Sequence, residues 1–131
     1  MTKRADKRGG FQLPESVSVV IPTLNEIDNI GPCIQSIKSC GDDRAVLREI
    51  VISDGGSHDG TVEEACRLGA VAVLSEKGRG VQINKGLAQV TGDVALVLHA
   101  DCRMLPGSLK AVVDALAICP GSPGGAFAMT F

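Results

Sequence analysis

Three short stretches carry residues whose types and spacing could do chemistry. His99-Ala100-Asp101 places an imidazole and a carboxylate one residue apart, directly after the apolar run Val94-Ala95-Leu96-Val97-Leu98. Asp54 opens the glycine-rich segment Asp54-Gly55-Gly56-Ser57-His58-Asp59-Gly60, again after an apolar run. Thr23, Asn25 and Glu26 follow a third run, Val17-Ser18-Val19-Val20-Ile21, which Pro22 interrupts. The set Thr23, Asn25, Glu26, Asp54, His99 and Asp101 is rich in hydrogen-bond acceptors and carboxylates. It suits a base or a ribose, together with a hard divalent cation carrying phosphates. Arg79, between Gly78 and Gly80, could meet a diphosphate through its planar fork, or be a solvated side chain.

Each residue also has a plainer reading. Asp101 could be a strand-end carboxylate in a turn. His99 could donate to a backbone carbonyl. Asp54 could bond its own turn, as Asx residues do. Asn25 is a good N-cap as well as a candidate ligand residue. Asp59 and Thr61 are assigned to capping, and Lys77 and Lys85 to solvent.

The elements that must position these groups follow from periodicity. Val17–Ile21 is predicted as a strand. Ile27, Ile30, Ile34 and Ile37 have helical spacing and predict a helix to about Ser39, with Pro32 inside it either kinking the helix or delaying its regular part. Leu47–Ile52 is a second strand. Thr61-Val62-Glu63-Glu64 has capping-box spacing and opens a helix to about Leu68, ended by Gly69. Ala70–Leu74 is a third strand. Gly78-Arg79-Gly80 reads as a loop, with a helix behind it through Val81, Ile83, Leu87 and Val90. The run at Val94 is a fourth strand buried on both faces. Pro106 starts a last helix with Leu109, Val112, Val113 and Leu116 inward. Residues 119–125 read as loop and 126–131 as the beginning of another strand.

Strands alternating with helices predict an α/β fold: a Rossmann-like, mostly parallel sheet with flanking helices. In such a sheet the loops after the first, second and fourth predicted strands leave on one side, so their polar residues can converge.

The totals bound the function. A chain of 131 residues with 44% hydrophobic content supports one packed domain, here 15–131, behind a basic flexible tail at 1–14. The tail carries Lys3, Arg4, Lys7 and Arg8 and reads as solvated, with contact to a membrane surface as the alternative. No apolar h-region follows it, and no stretch approaches the ~20 apolar residues of a spanning helix. A net charge of −2 and the absence of Trp and Tyr argue against nucleic acid as a partner. Five scattered cysteines without a C-x-x-C pair read as reduced thiols in a cytoplasmic protein, with zinc disfavoured. There is no G-x-G-x-x-G after the first strand, no G-x-x-x-x-G-K-[ST] and no G-x-S-x-G.

At these same residues the chain resembles glycosyltransferase family 2, nucleotide-sugar-dependent enzymes of the GT-A fold. Val19–Glu26 resembles the family's opening strand and turn. Asp54–Thr61 resembles its D-D-G-S-x-D-G-T loop. Gly78-Arg79-Gly80, Asn84-Lys85-Gly86 and Gly92-Asp93 resemble the approach to its D-x-D. The resemblance implies that Pro22, Thr23, Glu26 and Asp54 hold the base and ribose. It implies that Asp101, at the last position of D-x-D, binds Mg²⁺ or Mn²⁺ bridging the diphosphate. Gly55 stands where the family's loop has its second Asp. His99 stands at the first position of D-x-D and reads as a His-Ala-Asp subtype.

The activity implied is inverting, metal-dependent transfer of a sugar from a nucleotide-diphosphate donor to the hydroxyl of an unspecified acceptor. The family's general base lies in an acceptor-binding half with no counterpart before Phe131, so binding without efficient turnover is expected. The alternative is a non-catalytic truncated module that binds nucleotide or oligomerises. An unfinished strand edge would favour a homo-oligomer.

Overall fold

The chain was analysed as a computed structural model, which describes residues 2–3, 15–40, 46–118 and 125. Its strands are β1 (Thr2–Lys3), β2 (Val17–Thr23), β3 (Leu47–Asp54), β4 (Val71–Leu74) and β5 (Val94–Val97). Its helices are α1 (Ile27–Lys38), α2 (Thr61–Arg67), α3 (Arg79–Leu87) and α4 (Ser108–Ile118). The β-branched run of β2 makes it the central strand, paired parallel with β5 on one side and β3 on the other. β4 pairs parallel with β3, giving the order β1-β5-β2-β3-β4. The expected Rossmann-like sheet is therefore present.

Alternate residues of β2 enter two cores, as the period of a strand requires. Val17, Val19 and Ile21 pack with Ile30, Cys33, Ile34 and Ile37 of α1 and with Leu109, Val112 and Leu116 of α4. Val20 packs with Val51, Val90 and Ala95 beside α3. This second core is thin, and the helix above it sits close. A Cβ at Gly86 would overlap a methyl of Val20, so only glycine permits that approach.

Pro22 does not end β2. The strand runs on to pair Pro22 with Ser53 and Thr23 with Asp54. Leu98 N donates to Val20 O at 2.9 Å, so even-numbered residues of β2 turn their main-chain groups toward β5. Pro22 has no N–H to extend that ladder. Pairing with β5 therefore stops early, and His99–Asp101 leave the sheet, while pairing with β3 continues.

Several expected boundaries shift. Ser53 and Asp54, expected to open the glycine loop, are the last two residues of β3. Arg79 and Gly80 lie in the first turn of α3, not in a loop, because Gly78 caps that helix. α1 runs unbroken through Pro32. Thr2 and Lys3, expected in a flexible tail, pair antiparallel with Ala95 and Val94 at the edge of β5. The other tail residues and the strand expected at 126–131 lie outside the described residues.

Candidate functional site

The carboxyl ends of β5, β2 and β3 lie side by side, and the loops leaving them carry the polar residues singled out in the sequence. Between β2 and β3, Thr23 and Asp54 are about 1% exposed and bonded to each other, Thr23 Oγ1 donating to Asp54 Oδ1 at 2.7 Å. Asp54 also accepts from Ser57 Oγ (2.6 Å), Ser57 N (2.7 Å) and Gly56 N (3.0 Å). It therefore bonds its own turn and fixes the glycine loop to the sheet. Burial by itself would raise its pKa. The hydrogen bonds from Ser57, Thr23 and Gly56 outweigh that and hold the carboxyl below its ordinary value.

The loop after β2 is locked to the loop after β3. Asn25 was expected as the N-cap of α1. Instead it adopts the left-handed conformation (φ 54°), and its Oδ1 accepts from His58 N at 2.8 Å. The opening N–H groups of α1 are met from across the site. Glu26 N donates to Thr61 Oγ1 (2.8 Å) and Ile27 N to Asp59 Oδ2 (3.1 Å). Asp59 Oδ1 accepts from Thr61 N at 3.1 Å and from the Thr61 hydroxyl. Asp59 thus caps two helices, and these bonds draw its pKa down. Thr61 is the first residue of α2 rather than its cap, so the expected capping box is absent. Glu26 is half-buried, with Oε2 accepting from Asn29 Nδ2 at 3.1 Å. Pro22 is half-buried at the end of β2.

Gln82 carries no sequence motif. Its amide nitrogen, buried beside α3, donates to Thr23 O (2.8 Å) and Ser53 O (3.1 Å), and its oxygen accepts from Gly78 N (3.1 Å). One side chain thus joins α3 to the ends of β2 and β3. Its signal was a polar residue on the inward face of a helix otherwise read from Val81, Ile83 and Leu87.

The third loop follows β5. Ala100 is buried in the larger core, which leaves half-buried His99 and exposed Asp101 flanking it. Arg79, from the start of α3, contacts His99 Nε2. Cys33 Sγ reaches His99 O at 3.8 Å. Burial pushes that thiol up to about 12, so it stays protonated. Asp101 is touched by the Cys102 thiol at 3.8 Å.

No group of three or more His, Cys, Asp or Glu side chains among the described residues could enclose a metal ion. An exposed single carboxylate nonetheless fits a hard cation that draws its remaining oxygens from phosphates and water. The engaged Nε2 of His99 does not add to that donor set. A cavity of about 290 Å³ lies elsewhere, at the amino ends of β3 and β4, lined by Arg48, Glu49, Val51, Val71, Gln89 and Thr91.

A parallel sheet whose carboxyl rim gathers interlocked polar loops is the α/β arrangement in which ligands commonly bind at the strand ends. The chain belongs to glycosyl transferase family 2, whose family model matches residues 18–120. It is 36% identical over 88 residues to the low-salt glycan biosynthesis hexosyltransferase Agl6 of Haloferax volcanii, an alignment covering 66% of this chain and 21% of that protein. The structure is similar to glucosyl-3-phosphoglycerate synthase from Mycobacterium tuberculosis in complex with Mn²⁺, UDP and glucosyl-3-phosphoglycerate. The TM-score is 0.65 at 27% identity, over 78% of this chain and 39% of that one. It is also similar to mannosyl-3-phosphoglycerate synthase from Rubrobacter xylanophilus, with a TM-score of 0.71 at 27% identity, over 81% of this chain and 37% of that one. The chain thus spans well under half the length of each. No helix among the described residues is long and apolar enough to cross a membrane.

Proposed function

We propose that these residues form the donor-binding half of a nucleotide-sugar-dependent glycosyltransferase. The observation that carries this reading is the meeting of three loops at one rim. The Thr23–Asp54 bond, Gln82 and the Arg79–His99 contact tie them together. Pro22, Thr23, Asn25, Glu26 and Asp54 shape the base and ribose side. Arg79 and His99 face the diphosphate, and Asp101 holds Mg²⁺ or Mn²⁺ there. The solved complex of a similar synthase with Mn²⁺ and UDP supports that choice of ligand class.

A bound divalent ion would supply Lewis-acid neutralisation of charge on the departing diphosphate. The chain's own task is to orient the donor. Arg79 offers fixed N–H donors to phosphate oxygens, and the buried Thr23–Asp54 floor keeps the loop from reorganising when the donor arrives. Transfer with inversion then needs a carboxylate base to take the acceptor hydroxyl's proton. We assign that base to an acceptor-binding half outside these residues, so the 131-residue chain binds donor and turns over poorly. The acceptor is an unspecified hydroxyl compound, and scattered cysteines without a C-x-x-C pair support a cytoplasmic setting.

Calorimetric titration with a panel of nucleotide sugars, with and without Mn²⁺, tests this on the parent and on Asp101→Ala. Metal-dependent binding lost in the variant is the expected result. Equal binding in both, or sugar transfer by the 131-residue chain alone, contradicts the assignment.

One observation favours a second reading, an oligomerising module. β4 is an edge strand with Val71 54% and Leu74 73% exposed. Light scattering at high concentration decides: self-association reversed by Leu74→Lys supports it, and a monomer contradicts it.

A further inference from the structure

The turn that carries Asp101 is clamped by a residue with no part in the roles above. Arg103 Nη1 donates to Ala100 O (3.0 Å) and Cys102 O (2.9 Å), the carbonyls of the residues immediately before and after Asp101. Its Nη2 donates to Asn29 Oδ1 (3.3 Å). Asn29 Nδ2 in turn donates to Glu26 Oε2 (3.1 Å). A chain of hydrogen bonds therefore runs from the loop after β2, through the first turn of α1, to both sides of Asp101. The turn is further held by Cys102 N on His99 O and Met104 N on Ser36 Oγ, both 3.0 Å. Asp101 itself remains exposed, with its carboxylate outside this network apart from the Cys102 thiol.

We propose that Arg103 is a positioning residue, which with Asn29 presets the Asp101 carboxylate and couples it to Glu26 across the donor site. The proposal rests on the donor-site reading. Two carbonyls and an amide oxygen are met at once because a guanidinium is a rigid planar fork; an ammonium is a single compact charge and cannot hold all three in the same geometry. A lone carboxylate meeting a cation gains most from such pinning, because it has no neighbouring protein ligands to fix its place.

The test uses the 131-residue chain with Arg103→Lys, Arg103→Ala and Asn29→Ala. UDP is titrated with and without Mn²⁺, and amide hydrogen exchange at residues 99–104 is followed in the ligand-free proteins. Arg103→Lys and Arg103→Ala are both expected to weaken the Mn²⁺-dependent part of UDP binding by about 10-fold to 100-fold. Asn29→Ala should weaken it in the same sense, and all three should speed exchange at Cys102 and Met104.

Parent-like binding by Arg103→Lys would mean that charge alone matters, and would overturn the proposal. Unchanged exchange in Asn29→Ala would overturn the coupling to Glu26. A parent that binds no UDP refutes the donor-site reading, while the exchange data still decide whether the clamp exists.

Discussion

Asp54 has four donors on its two oxygens: Thr23 Oγ1, Ser57 Oγ, Ser57 N and Gly56 N. All four favour the ionised form. Because the folded pKa lies below the unfolded one, the stabilisation is complete above the unfolded value of about 3.9 and is lost as pH falls through the folded value. Asp54→Asn keeps the shape but replaces one acceptor by an NH₂ that opposes a donor. The expected cost is about 1–3 kcal/mol at neutral pH, with a smaller loss of stability on acidification than in the parent. Denaturant unfolding of both proteins between neutral and acid pH measures this; identical pH profiles would remove Asp54 from the account. Asp101, by contrast, is exposed, and its carboxylate is touched by the Cys102 thiol.

The elements were more legible than the bonds between them. The runs at Val17, Leu47 and Val94 predicted the central strands because a strand covered by helices on both faces must be apolar throughout. Ile30, Ile34 and Ile37 of α1 and Leu109 and Leu116 of α4 declared their buried faces by spacing, whereas Ile27, which shares that spacing, is exposed at the start of α1. Caps were not legible. Asn25 looked like the cap of α1, yet the residues that close α1 are Asp59 and Thr61, brought there by the next loop. Nothing local in the sequence encodes that exchange. Gln82 escaped for the same reason: its partners are carbonyls of two distant strands.

The close seat of α3 on β2 makes its own prediction. Gly86→Ala must push the helix off Val20, costing about 1–3 kcal/mol and displacing Arg79 from His99 with it. Thermal unfolding, together with the amide chemical shift of His99, checks both effects. An unchanged midpoint would mean that α3 has room to spare.

Among the described residues, the interlocked polar loops gather at the carboxyl rim of the sheet. The convergence of the three loops was legible from parallel topology alone, because strands β2, β3 and β5 run in one direction and so end on the same side of the sheet. Asp54 ends β3 and Asp101 follows β5 at that rim, while the cavity lined by Glu49, Val71 and Thr91 sits at the other end of the strands.

Mn²⁺ makes the two ends of the sheet distinguishable in one experiment, since it broadens the resonances of nearby nuclei. Titrated with UDP into the isotopically labelled chain, it should erase the amide signals of Gly55, Arg79 and Asp101 together, and leave Glu49, Ala70 and Thr91 sharp. Broadening centred on Thr91 and Glu49, or none that depends on UDP, would contradict a donor site at the carboxyl rim.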